Sequence, residues 1–196
     1  MPRHRLVLIL ACVLGLVITA GLAWNAGVFK SRATAPVGGP FQLVDQNGTP
    51  TTEKALKGKW SAVFFGFTYC PDVCPGTLQA LAAATDQLGP AAKDFQIVFI
   101  SIDPGRDTVQ QMKAYLSADY VPRSTLGLTG SHEQAAAAAK AYKVYYAKVG
   151  DGPGYTMDHS TAIYLMDPKG RFRTVIPYNL PPDEITRRIK DAMREG

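Results

Sequence analysis

From residue 41 onward, the hydrophobic and polar positions form two kinds of pattern, one typical of strands and the other of helices. Continuous apolar runs at 60–67 (WSAVFFGF) and 96–103 (QIVFISID) indicate buried strands, and 77–88 (TLQALAAATDQL) is helical in pattern. The other predicted elements are a hairpin turning at Asn47-Gly48, helices at 107–120 and 131–144, strands at 125–130, 145–150, 161–166 and 171–176, and a closing helix at 181–193. This order predicts an α/β domain with a mixed sheet flanked by helices and an extra N-terminal β-hairpin.

The N-terminal segment has a different pattern, because residues 6–24 are apolar and carry no charge. A helix of this length reaches about 28 Å, close to the roughly 30 Å of a bilayer's hydrocarbon core. Arg3 and Arg5 precede it, which favours a cytoplasmic tail at 1–5 and a single transmembrane anchor at 6–24. The alternative is a cleaved secretory signal with a small-residue site at 21–23.

With either an anchor or a cleaved signal, the rest of the chain is expected to be exported across the membrane. Residues 25–40 contain Gly, Pro and small residues without apolar periodicity and are predicted to be a linker. The domain at 41–196 is therefore expected on the periplasmic or extracytoplasmic side of a bacterial cytoplasmic (inner) membrane.

The distribution of charge argues against a nucleic-acid partner. The chain has a formal net charge of +5, but four of its 21 Lys and Arg residues precede Asp45, the first acidic residue. The remaining part has 17 basic and 16 acidic residues and is nearly neutral. No basic patch for a phosphate backbone is therefore indicated.

Two cysteines lie close together in TYCPDVCP, at Cys70 and Cys74. Pro71 disfavours helical angles at Cys70, whereas Pro75 suits the first helical position, so Cys74 is expected near a helix N-cap. Only a turned loop brings the two sulfurs together, because the extended segment would separate the Cα atoms by about 13 Å.

The expected position at a helix N-terminus stabilises a thiolate, the form that binds metals or attacks disulfides. The pair is therefore predicted to be reactive and redox-active. The alternative is a structural disulfide, although so short a loop would contribute only about 2 kcal/mol to stability.

A third ligand is sought among the three histidines. His4 flanks the apolar segment, and His132 is expected to be a solvated residue at a helix start. His159 precedes the strand at 161–166, and in a thioredoxin-like sheet this strand runs antiparallel to 60–67. That topology would place His159 facing the cysteine loop.

Two thiolates and one imidazole form a soft ligand set that suits Cu(I), zinc or iron–sulfur chemistry. Three-coordination favours Cu(I), whereas zinc would require a fourth ligand or a water molecule. Asp158 is the nearest fourth ligand, but it could equally orient the His159 imidazole.

Four motifs in combination resemble the SenC/Sco family of membrane-anchored copper chaperones: FFGFTYCPDVCP, FISIDPGRDT, LTGSHEQ and DHSTAIYLMDPKGRF. The resemblance implies a thioredoxin-like fold and copper held by Cys70, Cys74 and His159. It also implies delivery of copper to the dinuclear copper centre of cytochrome c oxidase subunit II. Asp103 and Asp107 also match the family pattern; the residues themselves indicate only a helix N-terminal position for Asp107, and neither is assigned a chemical role.

The leading hypothesis is therefore a copper metallochaperone. Its expected partners are apo cytochrome c oxidase subunit II, a copper donor chaperone, a periplasmic thioredoxin-like reductant, and the membrane through the N-terminal helix. The alternative is a thiol–disulfide oxidoreductase that reduces partner cysteines during oxidase assembly. A peroxidase is disfavoured, because TYCPDVCP lacks the P-x-x-x-T-x-x-C arrangement of peroxiredoxins.

Overall fold

The computed structural model describes residues 13–15, 19 and 36–195. Residues 13–15 and 19, which fall within the predicted anchor, are helical. The predicted tail at 1–5, the remainder of the anchor and residues 25–35 of the linker lie outside the described residues. Within the described part, no helix combines the length and apolarity needed to cross a bilayer. The predicted transmembrane anchor therefore stays a prediction.

The described strands are β1 Gln42–Asp45, β2 Pro50–Thr52, β3 Trp60–Gly66, β4 Phe95–Ser101, β5 Leu126–Thr129, β6 Tyr146–Val149, β7 Thr156–His159, β8 Ile163–Met166 and β9 Phe172–Ile176. Seven of them form a mixed sheet with the order β2-β1-β5-β4-β3-β8-β9, and β6 and β7 form a separate sheet. The α-helices are α1 Val73–Leu88, α2 Val109–Leu116, α3 His132–Ala141 and α4 Pro182–Glu195. Two short 3-10 helices lie at Glu53–Leu56 and Gly89–Asp94. The predicted mixed sheet flanked by helices is confirmed.

Strand β3 lies in the interior of the sheet, beside the middle strand β4, and is buried along its whole length. It pairs in parallel with β4 and antiparallel with β8, as the continuous apolar run predicts for a strand covered on both faces. Alternate side chains enter two separate cores, with Phe64 on one face and Phe65 on the other. Helices α1 and α4 contribute to the first core, and α3 contributes to the second.

The β6–β7 hairpin was predicted only in part. The strand at 145–150 was expected, but 156–159 was not, because the segment Thr156–His159 is short and mostly polar and has no apolar run. Its strand geometry comes from antiparallel pairing with β6, in which His159 lies opposite Tyr146. His159 therefore ends a strand of its own before the chain enters β8.

Asp107 links the ends of the central strands β3 and β4. Its carboxylate accepts hydrogen bonds from the backbone N–H of Thr68 at 3.1 Å, from the Thr68 hydroxyl at 2.7 Å and from the Ser101 hydroxyl at 2.6 Å. The side chain is fully buried, and this burial raises the pKa of Asp107. The sequence indicated only a role at a helix N-terminus for this residue, whereas the structure makes it a tie between the two strands that precede the cysteine loop and α2.

Asp107→Ala is expected to lower the free energy of unfolding by about 2 to 4 kcal/mol, because it leaves buried donors of Thr68 and Ser101 without a partner. Urea unfolding measures this loss. The control is Asp86→Ala on the exposed surface of α1, which should change stability by less than about 0.5 kcal/mol. Equal stability of the two variants would contradict the role of Asp107 as a tie.

Candidate metal centre

The cysteine loop leads from β3 directly into α1. The helix begins at Val73 with Asp72 as its N-cap residue, so Cys74 is the second helical residue and Pro75 the third. Pro75 was expected at the first position, but any position in the first turn tolerates proline because the first N–H groups have no intrahelical acceptor. The first helical backbone bond runs from Gly76 N–H to the Asp72 carbonyl at 3.0 Å.

The two thiols are free and have different surroundings. Cys74 is buried, whereas Cys70 is partly exposed. The backbone N–H of Cys74 donates to the Cys70 sulfur at 3.4 Å, and the backbone N–H of Cys70 donates to the Phe67 carbonyl at 3.1 Å. The loop is therefore turned, as the proline positions predicted.

This arrangement makes Cys70 the thiolate. A hydrogen bond from the Cys74 side chain lowers the pKa of Cys70 to about 5, against the opposing effect of burial. Backbone N–H groups of Cys74 and Asp72 lower it further, and the charge of His159 has a smaller effect in the same direction. The same hydrogen bond and burial raise the pKa of Cys74, so Cys74 is the thiol that donates.

Gly66, the last residue of β3, allows Cys74 to pack against the sheet. A Cβ atom at this position would lie 2.5 Å from the Cys74 sulfur and 2.7 Å from the Phe99 ring. A glycine inside an otherwise apolar strand run is a sequence signal for such a close approach, and it marks Gly66 as a functional position that the motifs alone did not indicate.

His159 is brought to the same end of the sheet through Phe67. The imidazole packs edge-on against the Phe67 ring, with the ring centroids 6.0 Å apart. Its Nδ1 atom lies 2.9 Å from the Ser160 carbonyl oxygen. Because a carbonyl only accepts, Nδ1 carries the proton, and in the neutral ring Nε2 keeps a free lone pair.

Asp158 is exposed and lies on the opposite face of β7 from His159, because successive strand residues alternate. The His159 ring thus donates its orienting hydrogen bond to the backbone carbonyl of Ser160 rather than to this carboxylate. An orienting or ligating role for Asp158 stays a prediction.

Among the described residues, no group of three or more His, Cys, Asp or Glu side chains is gathered closely enough to hold a metal ion. The structure does bring Cys70, Cys74 and His159 to one end of the sheet, with Phe67 touching both the cysteine loop and the imidazole. The assignment of these three residues as ligands stays a prediction that requires His159 to approach the sulfurs.

The reduced protein is expected to show one thiol ionising near pH 5, because the Cys74 hydrogen bond stabilises the Cys70 thiolate. The folded pKa lies below the unfolded one, so the stability that this group contributes is complete above the unfolded value and is lost as the pH falls through about 5. The ultraviolet absorbance of the thiolate during a pH titration measures the transition, and Cys70→Ser should remove it. A single transition in the range of an ordinary thiol would contradict this assignment.

Gly66→Ala is expected to raise the pKa of Cys70 by about one pH unit, because the new methyl group displaces the Cys74 sulfur and weakens its hydrogen bond. The rate of Cys70 alkylation against pH measures the shift. Gly76→Ala is the matched control, since its Cβ would meet nothing within 4 Å. If both variants keep the same alkylation profile as the unmodified protein, Gly66 does not position the pair.

Comparison with known proteins gives a consistent assignment. Residues 29–194 match the family described as SCO1/SenC. Protein SCO1 homolog 1, mitochondrial, from Arabidopsis thaliana is 42% identical over 167 residues, which are 84% of this chain and 49% of that protein. The chain thus spans about half the length of this relative. Protein SenC from Rhodobacter capsulatus is 41% identical over 154 residues, which cover 78% of this chain and 69% of that protein.

The fold comparison agrees with the sequence comparison. The crystal structure of Arabidopsis thaliana ScoI with copper bound superposes with a TM-score of 0.76 at 42% identity. The superposition covers 82% of this chain and 99% of that one. These matches confirm the resemblance seen in the four sequence motifs, and the chain belongs to the SCO1/SenC family.

Proposed function

We propose that this protein is a copper metallochaperone that binds copper through Cys70, Cys74 and His159. The observation that carries the proposal is the turned loop that places the Cys70 sulfur against the Cys74 backbone N–H, at the same end of the sheet as an imidazole whose Nδ1 is engaged by the Ser160 carbonyl. The lowered pKa of Cys70, caused first by the hydrogen bond from Cys74, supports it. Thiolate and imidazole together suit Cu(I). A copper-bound structure of a relative at 42% identity supports the choice of metal.

The proton balance of copper uptake follows from the unequal thiols. Cys70 is already a thiolate, whereas Cys74 must release its proton when it binds the metal. His159 needs no deprotonation at Nε2 in its neutral form, because Nδ1 holds the proton. Copper binding by this site therefore releases about one proton near neutral pH.

The proposed acceptor is the dinuclear copper centre of apo cytochrome c oxidase subunit II. Delivery requires ligands that exchange, and three ligands from a loop and a hairpin are easier to release than a closed four-ligand site. A copper donor chaperone would load the protein, and a periplasmic thioredoxin-like reductant would keep Cys70 and Cys74 reduced, since a disulfide between them could not bind copper.

The proposed location is the bacterial cytoplasmic (inner) membrane, with residues 6–24 as a single-pass anchor and the domain on the periplasmic side. The uncharged apolar run supports this placement. The similarity to bacterial SenC is consistent with a bacterial setting.

A second candidate is thiol–disulfide oxidoreductase activity, which the unequal pKa values favour. The Cys70 thiolate would attack a partner disulfide and release one partner thiolate, forming a mixed disulfide. Cys74, after losing its proton, would then attack the Cys70 sulfur and release the second partner thiolate. The pair would end as a Cys70–Cys74 disulfide, and the partner would gain two electrons.

His159→Ala is expected to weaken Cu(I) binding by about 100-fold or more, because even the loss of a group that supports a ligand costs 10- to 100-fold. Competition with a chromophoric Cu(I) chelator under reducing conditions measures the affinity. His132→Ala is the matched control, since His132 is exposed at the start of α3 and should not change the affinity.

The same variant separates the two candidate functions. If His159→Ala keeps full Cu(I) affinity, the three-ligand chaperone is wrong. If the copper-free protein also reduces a model disulfide rapidly while showing no measurable Cu(I) binding, the oxidoreductase is the function.

A further inference from the structure

Arg106 lies in the loop between β4 and α2 and is surrounded by aromatic rings. Its guanidinium carbon is 3.6 Å from the centre of the Tyr155 ring and 4.8 Å from that of Tyr69, the neighbour of Cys70. The Phe67 ring, which also packs against His159, is 5.8 Å away. Only 17% of the Arg106 side chain is exposed. The guanidinium thus lies between the cysteine loop and the hairpin that carries His159.

Tyr155 makes two contacts with the Arg106 guanidinium and a third with Asp103, the ion-pair partner of Arg106. Its ring stacks on the Arg106 guanidinium, its carbonyl accepts a hydrogen bond from Arg106 Nη1 at 2.8 Å, and its hydroxyl donates to Asp103 at 2.7 Å. Arg106 Nε in turn pairs with the buried Asp103 carboxylate at 2.5 Å. Stacked and charge-assisted contacts of a partly buried arginine are strong and geometrically specific.

These contacts matter for His159 because of how β6 and β7 are attached. Among the described strands, these two pair only with each other, so the hydrogen bonds of the central sheet do not fix their position. Tyr155 immediately precedes β7, and His159 ends that strand four residues later. The contacts of Tyr155 are therefore one anchor of the strand that ends at His159, beside the Phe67 contact of the imidazole and the packing of Tyr146 and Met157 on the second core.

We propose that Arg106, Asp103 and Tyr155 form a latch that positions His159 relative to the Cys70–Cys74 thiols and so sets the affinity for copper. This proposal rests on the proposed function, because it assumes that His159 is a ligand. The latch residues touch no copper ligand directly. They act by holding the turn end of the β6–β7 hairpin, where Tyr155 precedes β7, against the loop that ends in Asp107.

A latch of this kind limits the entropy that His159 loses on binding the metal. A hairpin anchored near the thiols has little freedom left to lose, whereas a released hairpin must be ordered again each time copper binds. Loss of the latch should therefore weaken copper binding only when His159 takes part in it.

The test compares Arg106→Met in two backgrounds by Cu(I) competition with a chromophoric chelator. In the otherwise unmodified protein, Arg106→Met is expected to weaken Cu(I) binding about 10-fold, the size typical of losing a group that supports a ligand. In the His159→Ala background, the same substitution should change the affinity less than about twofold, because coupled residues are not additive.

Arg171→Met is the matched control. Arg171 also pairs with a buried carboxylate, Asp167, with Nη2 and the Asp167 oxygen 2.7 Å apart, but in the turn between β8 and β9. Arg171→Met should leave Cu(I) affinity unchanged, although it likewise removes the arginine side chain that pairs with a buried carboxylate. An equal loss of Cu(I) affinity in Arg106→Met and Arg171→Met would mean that general destabilisation causes the effect, and it would overturn the latch.

Amide hydrogen exchange of the copper-free protein gives a readout that does not depend on metal. Arg106→Met should speed exchange in Thr156–His159 and leave β3 unchanged. Tyr155→Phe removes only the hydroxyl contact with Asp103 and should weaken Cu(I) binding about threefold. It tests the latch even if Arg106→Met fails to fold.

The outcomes separate the two proposals. Unchanged Cu(I) affinity in His159→Ala overturns the three-ligand function and, with it, the latch. Two outcomes overturn the latch alone, provided that His159→Ala does weaken Cu(I) binding. The first is unchanged Cu(I) affinity in both Arg106→Met and Tyr155→Phe. The second is an equal loss of affinity from Arg106→Met in the unmodified protein and in the His159→Ala background.

Discussion

The hydrogen bonding between Cys74 and Cys70 is the interaction on which the chemistry of this domain depends. It places a negative charge on the more exposed sulfur and a proton on the buried one. The start of α1 provides the N–H groups that stabilise this charge, and Gly66 leaves room for the buried sulfur. A loop of five residues thus holds one thiolate and one proton donor side by side, an arrangement that suits both of the proposed functions.

The imidazole is held in a different way from the sulfurs. Cys74 is part of a helix packed on the central sheet, whereas His159 ends a strand in a separate two-stranded sheet. The contacts of Phe67, Arg106 and Tyr155 bring this second sheet to the cysteine loop. If the three residues hold copper as proposed, the metal would be bound both by side chains fixed to the central sheet and by a side chain on a separate hairpin.

The segment between β4 and α2 contributes two buried acids with distinct tasks. Asp107 accepts hydrogen bonds from donors at the ends of β3 and β4. Asp103 forms an ion pair with Arg106 and accepts a hydrogen bond from the Tyr155 hydroxyl. The family resemblance marked both positions without giving either a role. The contacts now explain why this loop carries two carboxylates four residues apart, one facing the strands and the other facing the hairpin.

The sequence alone determined the features that depend on local pattern. Apolar runs located β3 and β4, two prolines predicted a turned loop and a helix start, and the motif set identified the family. Tertiary structure decided which cysteine is the thiolate, that Thr156–His159 is a strand, and where Asp107 and Arg106 are held. The reason is the distance along the chain between the residues in contact. Asp107 and Thr68 are 39 residues apart. Tyr155 is 49 residues from Arg106 and 52 residues from Asp103. Hydrophobic periodicity reports on neighbours within a turn or a strand, whereas burial and hydrogen bonding between distant segments exist only once the sheet has formed.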